Sequence, residues 1–481
     1  MDSGSYENLS DTLSYHGDSG KPSPNNFHVF IPWACRQLRL GVDVVFTNII
    51  KVKPSSSTAG KPTGKLNKAK RQTKPDSDES DLTCKASAIS NTRSDSLGNN
   101  AANVKIGIIY DNSGNIIQLK FENNKTIPRL VFKIIALILR YHKYLECIII
   151  NKGINNVGIH ELNNLLAVSN ITDVCLDNTA INDGNYDTLL DNTKYLRHLS
   201  LARCKLTDKI VNKIAAKITV PLFPSQTLSL LNMTSNAITD AGAKYIADSL
   251  RSNRQLVYLN LSDNSITDEG AMAILDILDE FILTKEEILS FKTRQLCYWN
   301  EKKKLIADIV EELQNKELDK NIDKTKPKTT NVLPAKSNKA ISKDPFTKNI
   351  NDTMIKLKTE ALIDKANIIA EQKMGEFIDP FCSEFVSKKG NLLYCNGNNQ
   401  LAYLNLSYNN ISYISIKRLL DVLSYQKLMD RKPRGLVNVS IEGNSIPVSC
   451  KEFTKIDAIL LRSIFTLGVW AASNSRRNCS H

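Results

Sequence analysis

Residues 228–282 hold one pattern twice, and every equivalent pair is 28 residues apart. The first copy is Leu228, Leu231, Met233, Asn236, Ile238, Asp240, Gly242; the second is Leu256, Leu259, Leu261, Asn264, Ile266, Asp268, Gly270. Leu259 and Leu261 are two apart, so on a short strand they point the same way. The chain must then turn, and the Asn264 amide can bond backbone groups of the turn and of neighbouring coils, as no apolar side chain can. Thr267-Asp268-Glu269-Gly270 reads as a helix start, with an acceptor side chain at its N-terminus. Such a unit cannot bury its own apolar side, so it has to stack on copies of itself.

Weaker copies lie on both sides. Before the pair come Ile116, Leu119, Phe121, Asn124; then Tyr144, Cys147, Ile149, Lys152, Ile154; then Ile171, Val174, Leu176, Thr179, Ile181; then Leu196, Leu199, Leu201, Cys204, Leu206. Far beyond it come Leu401, Leu404, Leu406, Asn409, Ile411 and Leu436, Val439, Ile441, Asn444, Ile446. The pattern resembles the leucine-rich repeat L-x-x-L-x-L-x-x-N/C-x-L, and the "ITDxGA" rhythm resembles its ribonuclease-inhibitor-like subclass. That resemblance implies an α/β leucine-rich-repeat solenoid, a horseshoe with parallel strands on the concave face and helices on the convex face.

A repeat array escapes the size limit of a single core, which 481 residues would otherwise exceed. The pattern and composition divide the chain into five parts. Residues 1–103 are expected to be a mostly disordered, basic N-terminal arm, rich in Ser, Asn and Lys. Its apolar island Phe27–Ile50 either docks on a partner or folds back onto the array. Residues 104–283 hold a hairpin around Asp111–Gly114, expected to cap the open sheet edge, and the first repeats. Residues 284–395 read as an insertion. Thr284–Leu318 is a long helix with a partial stripe of Trp299, Ile306, Ile309 and Leu313, either a partner-binding arm or a helix packed on the convex side. Asp319–Asn351 is expected to be disordered, and Asp352–Phe377 a second helix. Residues 396–464 hold the last repeats and a closing helix, and 465–481 a tail.

The net charge of +13 is uneven, with eight Lys/Arg and no acid in residues 51–75. Lys65, Lys68, Lys70, Arg71 and Lys74 suit an acidic polymer such as tubulin, or a nuclear address. Ten cysteines without a C-x-x-C pair suggest a reducing compartment, with Cys147 and Cys204 in repeat slots. The sequence shows no secretory leader and no apolar run long enough to span a membrane, so a cytoplasmic protein is expected. The sequons at Asn260 and Asn405 agree, because glycans there would cover the concave sheet.

No catalytic constellation stands out, no cofactor or metal site is expected, and the chain reads as a non-enzyme. Gly60–Lys65 lacks the spacing and flanking elements of a phosphate loop, and His160-Glu161 lacks a second histidine. The outward strand positions form a nearly uncharged ladder: His198, Ser200; Asn232, Thr234; Tyr258, Asn260, Ser262; Tyr403, Asn405, Ser407; Asn438, Ser440. Tyr, Asn and Ser suit adaptable protein recognition. The bland alternative is the soluble face of a solenoid.

The order of parts resembles a more specific family. Repeats lead into Phe281-Ile-Leu-Thr-Lys-Glu-Glu-Ile-Leu, then a lysine-rich insertion, then "LAYLNLSYNNIS" and "GLVNVSIEGNSI". This resembles the animal leucine-rich-repeat-containing protein seventy-one family over about residues 105–460. The resemblance implies a non-enzymatic scaffold of the axoneme in motile cilia and sperm tails, a monomer within a larger assembly. A cytosolic or nuclear regulator of an enzyme, an activator of a GTPase or an inhibitor, shares the architecture.

Overall fold

The computed structural model describes residues 21–51, 102–191, 193–323, 345–447 and 450–461. The chain forms two compact units, Met1–Cys204 and Lys205–His481.

In the first unit, helix α1 (Phe27–Gln37) leads into strand β1 (Val42–Lys51), followed by β2 (Ala102–Tyr110), β3 (Ile116–Phe121) and helix α2 (Arg129–Ile138). Strand β4 (Cys147–Ile150), helix α3 (Asn156–Ala167), β5 (Asp173–Cys175) and β6 (His198–Ser200) complete it. The strands lie in sequence order, with β2 and β3 antiparallel and the remaining pairs parallel. The hairpin turn is held by the Asp111 carboxylate, which accepts from the amides of Ser113 and Asn115 and from Asn115 Nδ2.

One open alternative is decided here, and two expectations change. The island at 27–50 folds back: Phe27, Phe30, Ile31, Ala34 and Cys35 are buried, and β1 pairs along β2. The strand that covers the hairpin's edge is therefore β1. The copy at 144–154 is slipped by one residue. Leu145, Ile148 and Ile150 are buried, whereas Tyr144 is exposed and Cys147 and Ile149 face the other side of the sheet. A run of consecutive apolar residues, Cys147 to Ile150, carries no alternation to fix the register, and a one-residue slip exchanges the two faces. Cys204 does take the Asn slot: it is buried and its Sγ lies 3.2 Å from Leu176 O. Between β5 and β6 a short 3-10 segment, Asn185–Leu190, replaces the helix. The copies start only 25 residues apart there (Ile171 to Leu196), too few for a full helix.

In the second unit, helix α4 (Asp208–Lys217) precedes β7 (Leu230–Asn232), α5 (Asp240–Leu250), β8 (Tyr258–Asn260) and α6 (Asp268–Asp276). Strand β9 (Phe281–Ile282) leads into the insertion, which carries α7 (Lys285–Asp323), α8 (Pro345–Met374), β10 (Val386–Lys389) and β11 (Leu392–Cys395). The repeats resume with β12 (Tyr403–Asn405), α9 (Tyr413–Met429) and β13 (Asn438–Ser440), and a last helix covers 451–461. Strands β7, β8, β12 and β13 form one parallel sheet in that order. The insertion is thus looped out, and β8 pairs directly with β12.

Helices α7 and α8 run antiparallel. Arg294, Tyr298 and Lys302 meet Asp379, Gly375 and Glu371 in turn, at 2.6, 2.7 and 3.0 Å. Ile309 packs on Ala366 and Ala370, with Ile306 and Leu313 alongside, but Trp299 points outward and is half exposed. The stretch Asp319–Asn351 is helical at both ends, because α7 runs to Asp323 and α8 starts at Pro345; residues 324–344 lie outside the described part. Lysine is a good helix former, and proline is at home in the first turn of a helix, so the composition of this stretch did not forbid helix. At its root, Arg251, the residue that follows α5, grips Glu287 through two bonds of 2.6 and 2.8 Å, with its guanidinium over the Phe281 ring at 4.2 Å.

Candidate functional site: the outward face of the repeat strands

Alternation sets this face. Leu231, Leu259 and Leu404 are buried, so their strand neighbours point the other way. In the second unit the sheet register aligns Leu230, Tyr258, Tyr403 and Asn438 in one row. Asn232, Asn260, Asn405 and Ser440 form the next. The Tyr258 and Tyr403 rings lie 6.1 Å apart between centroids, tilted by 36°. Tyr403 is 40% exposed, so the pair offers an aromatic surface with polar hydroxyls.

Several residues expected to bind outward are spent on the fold. The side-chain oxygens of Asn232, Asn260 and Asn405 accept from the amides of Thr234, Ser262 and Ser407, at 3.2, 3.0 and 2.9 Å. Ser262 and Ser407 are buried; Ser262 donates to Thr234 Oγ1 at 3.2 Å. The surface left for a ligand is the tyrosine pair, with Asn405 Nδ2, Asn438 and Ser440 beside it.

His198 and Ser200 belong to the sheet of the first unit, where the face is not neutral. His198 Nδ1 lies 3.1 Å from Asp173, and Ser200 Oγ donates to Asp177 at 2.6 Å. Both aspartates were missed by starting the ladder at His198. The same alternation applied to Val174 and Leu176 exposes them. Cys147 and Cys175 share this face. Burial, with Asp173 nearby, pushes the Cys147 thiol up to about 12, and burial pushes Cys175 up to about 11. Both are therefore protonated, weak nucleophiles at neutral pH. Among the described residues, no three His, Cys, Asp or Glu side chains gather to hold a metal, and no helix is long and apolar enough to cross a membrane. Lys65, Lys68, Lys70, Arg71 and Lys74 lie outside the described residues.

Two ladders hold the face in place. Asn264 Nδ2 donates to Leu261 O, Ser262 O and, in the preceding coil, Met233 O, while its Oδ1 accepts from Ile238 N. Asn409 repeats this with Leu406 O, Ser407 O, Leu261 O and Ile266 N. The second ladder is made by the aspartates. Asp240 Oδ1 accepts from Thr267 N at 2.7 Å and Gly270 N at 2.9 Å, and Oδ2 from Thr267 Oγ1 at 2.7 Å. Each Asp thus reaches forward to the next helix, whereas the cap within its own helix is the Thr before it. This explains the glycine slot: a Cβ on Gly270 would lie 2.5 Å from Asp240 Oδ1.

A family model described as Leucine Rich repeat matches residues 194–215, 225–247 and 252–275. The chain carries leucine-rich repeats. A comparison with curated proteins finds no match. The parallel sheet, the helices between its strands and the asparagine ladder fit the α/β fold of such repeats, and the ladder carries the same unit on to Asn444. Leucine-rich repeats point to a role in protein–protein interaction.

Proposed function

We propose that the protein is a non-enzymatic scaffold, whose second-unit strand face docks a protein partner, within the axoneme of motile cilia or sperm tails. The observation that supports docking most is the Tyr258–Tyr403 pair, half-buried and exposed respectively, set side by side on a parallel sheet. Rigid aromatic side chains supply contact area at low entropic cost. The order of parts, with a helical insertion between the two runs of repeats, supports the axonemal reading. The basic stretch at 51–75 serves as a separate, salt-sensitive contact to an acidic polymer such as tubulin.

The test is imaging of the tagged chain in multiciliated cells, combined with a photo-crosslinking residue in place of Tyr258. Axonemal signal is expected, with one dominant crosslinked protein that disappears on Tyr403→Ala. A diffuse or nuclear signal would remove the axonemal reading. Crosslinks to many unrelated proteins would remove the docking face. Weaker co-sedimentation with microtubules at low salt is expected after Lys65, Lys68, Lys70, Arg71 and Lys74 are changed to Gln.

A further inference from the structure

The first unit carries two neighbouring clefts that the strand face does not use. One, of about 570 Å3, lies among the start of α1, the β2–β3 hairpin and the segment after α2. The other, of about 470 Å3, lies between the end of α2 and the residues that precede β5. Arg140, His142 and Lys143 line both, so they form a ridge between the two. Arg140 and Lys143 are exposed, and the Arg140 guanidinium lies 5.0 Å from the centroid of the Tyr141 ring. Tyr141 and Tyr144 stand 43% and 59% exposed beside them.

The lining has a definite chemistry. No carboxylate lines either cleft. Asp111 is near, but its oxygens are taken up by its own turn. The walls are partly apolar, with Phe27 and Ile116 in one cleft and Leu137, Leu145 and Val168 in the other. His142 Nε2 donates within the fold, to Pro24 O at 3.1 Å, and burial lowers the pKa of the imidazole. The ridge therefore presents the two cationic side chains of Arg140 and Lys143.

We propose that this ridge and its two clefts form a second docking surface, which takes an extended peptide of alternating acidic and apolar side chains. Apolar side chains enter the clefts, and a carboxylate between them pairs with Arg140 and Lys143. Two cations match one or two carboxylates. They are too few for a nucleic acid, whose affinity comes from neutralising many phosphates. The exposed tyrosines and the side chains of Asn25 and Asn26 supply polar partners for a peptide backbone.

The test uses the full chain and a short fluorescein-labelled peptide in which glutamate and leucine alternate, read by fluorescence anisotropy. Binding that weakens with added salt is expected. Arg140→Gln with Lys143→Gln should weaken it by about tenfold or more, as the loss of charge-assisted hydrogen bonds does. Val168→Glu, at an exposed site in the second cleft, should weaken it as well by repelling the carboxylates. Tyr258→Ala should leave it unchanged, which separates this surface from the strand face. The proposal is overturned by no binding, by equal binding of the glutamine version of the peptide, or by unchanged binding of both variants. Displacement of the peptide by a single-stranded RNA at lower concentration would assign the ridge to nucleic acid instead.

Discussion

Two seams in the second unit join the same kinds of strand across different lengths of chain. Between β7 and β8 the paired residues Leu231 and Leu259 are 28 apart; between β8 and β12 Leu259 and Leu404 are 145 apart. The local bonding is nearly the same. Asn264 reaches Met233 O at the first seam, and Asn409 reaches Leu261 O at the second, at 3.1 and 2.9 Å. Asp240 holds Thr267, and Asp268 holds Ser412. At the helix-to-strand corners, Asn253 Nδ2 donates to Ile218 O, and Asn398 Nδ2 donates to Leu250 O and Asn253 O. One substitution adapts the long seam: Ser415 stands where Gly242 and Gly270 stood, and its hydroxyl donates to Asp268. Long insertions add little closure cost, since that cost grows only logarithmically with length. A seam that keeps its ladders can therefore host an insertion.

If the two seams are equivalent, matching truncations should cost matching amounts. Leu259→Ala and Leu404→Ala each remove a buried leucine and should each cost about 2–5 kcal/mol in urea unfolding. A cost near zero for Leu404→Ala alone would show that the long seam is open in solution. Next come the ladder positions. Asn264→Ala and Asn409→Ala each leave several backbone groups without partners, and each should cost about 1–3 kcal/mol. Unequal costs would show that only one seam depends on its amide.

The two seams also show what the sequence made legible. The 28-residue pattern revealed the strands, the buried leucines and the amide slot, because periodicity reports burial and burial dominates. The copy at 145–150 was misread because Cys147-Ile148-Ile149-Ile150 offers four apolar residues in a row. The aspartate ladder was missed because Asp240 and Asp268 look like caps of their own helices, and only three dimensions show that they reach the next one. The helix and strand at 27–51 were legible as an apolar island, but a single island does not say where it docks. The strand face was legible as a set of residues. How many of them bond inward, as Asn260 and Asn405 do, depends on turn geometry that composition does not carry.

Acid should probe the long seam. Burial raises the Asp268 pKa, but hydrogen bonds from Ser412 and Ser415 more than offset this, so the carboxyl lies below its ordinary value of 3.8. A depressed folded pKa gives stability that is complete above the unfolded value and is lost as pH falls through the folded one. Asp268→Asn should therefore cost about 1–2 kcal/mol at pH 7, as charged hydrogen bonds become neutral ones. Its difference from the wild type should shrink below about pH 4. Denaturant titrations at several pH values would check this, and a difference independent of pH would mean that the Asp268 charge does not hold the seam.

The smallest expected effect is the sharpest comparison of the seams, because it concerns the surface itself. Leu230, Tyr258 and Tyr403 occupy consecutive places in one row, so Tyr258 has an aliphatic neighbour across the short seam and an aromatic one across the long seam. Aromatic pairs at this separation contribute about 0.5–1.5 kcal/mol beyond the area they bury. Tyr258→Ala and Tyr403→Ala should each destabilise mildly. The double variant should then cost less than the sum of the single ones, by about 0.5–1.5 kcal/mol, as contacting residues do. The same cycle for Leu230→Ala and Tyr258→Ala should give a smaller coupling, because no ring faces a ring there. Additive tyrosine effects would mean that the rings do not touch across the long seam in solution. The aromatic surface proposed for the partner would then be two separate tyrosines, and crosslinking from position 258 should no longer depend on Tyr403.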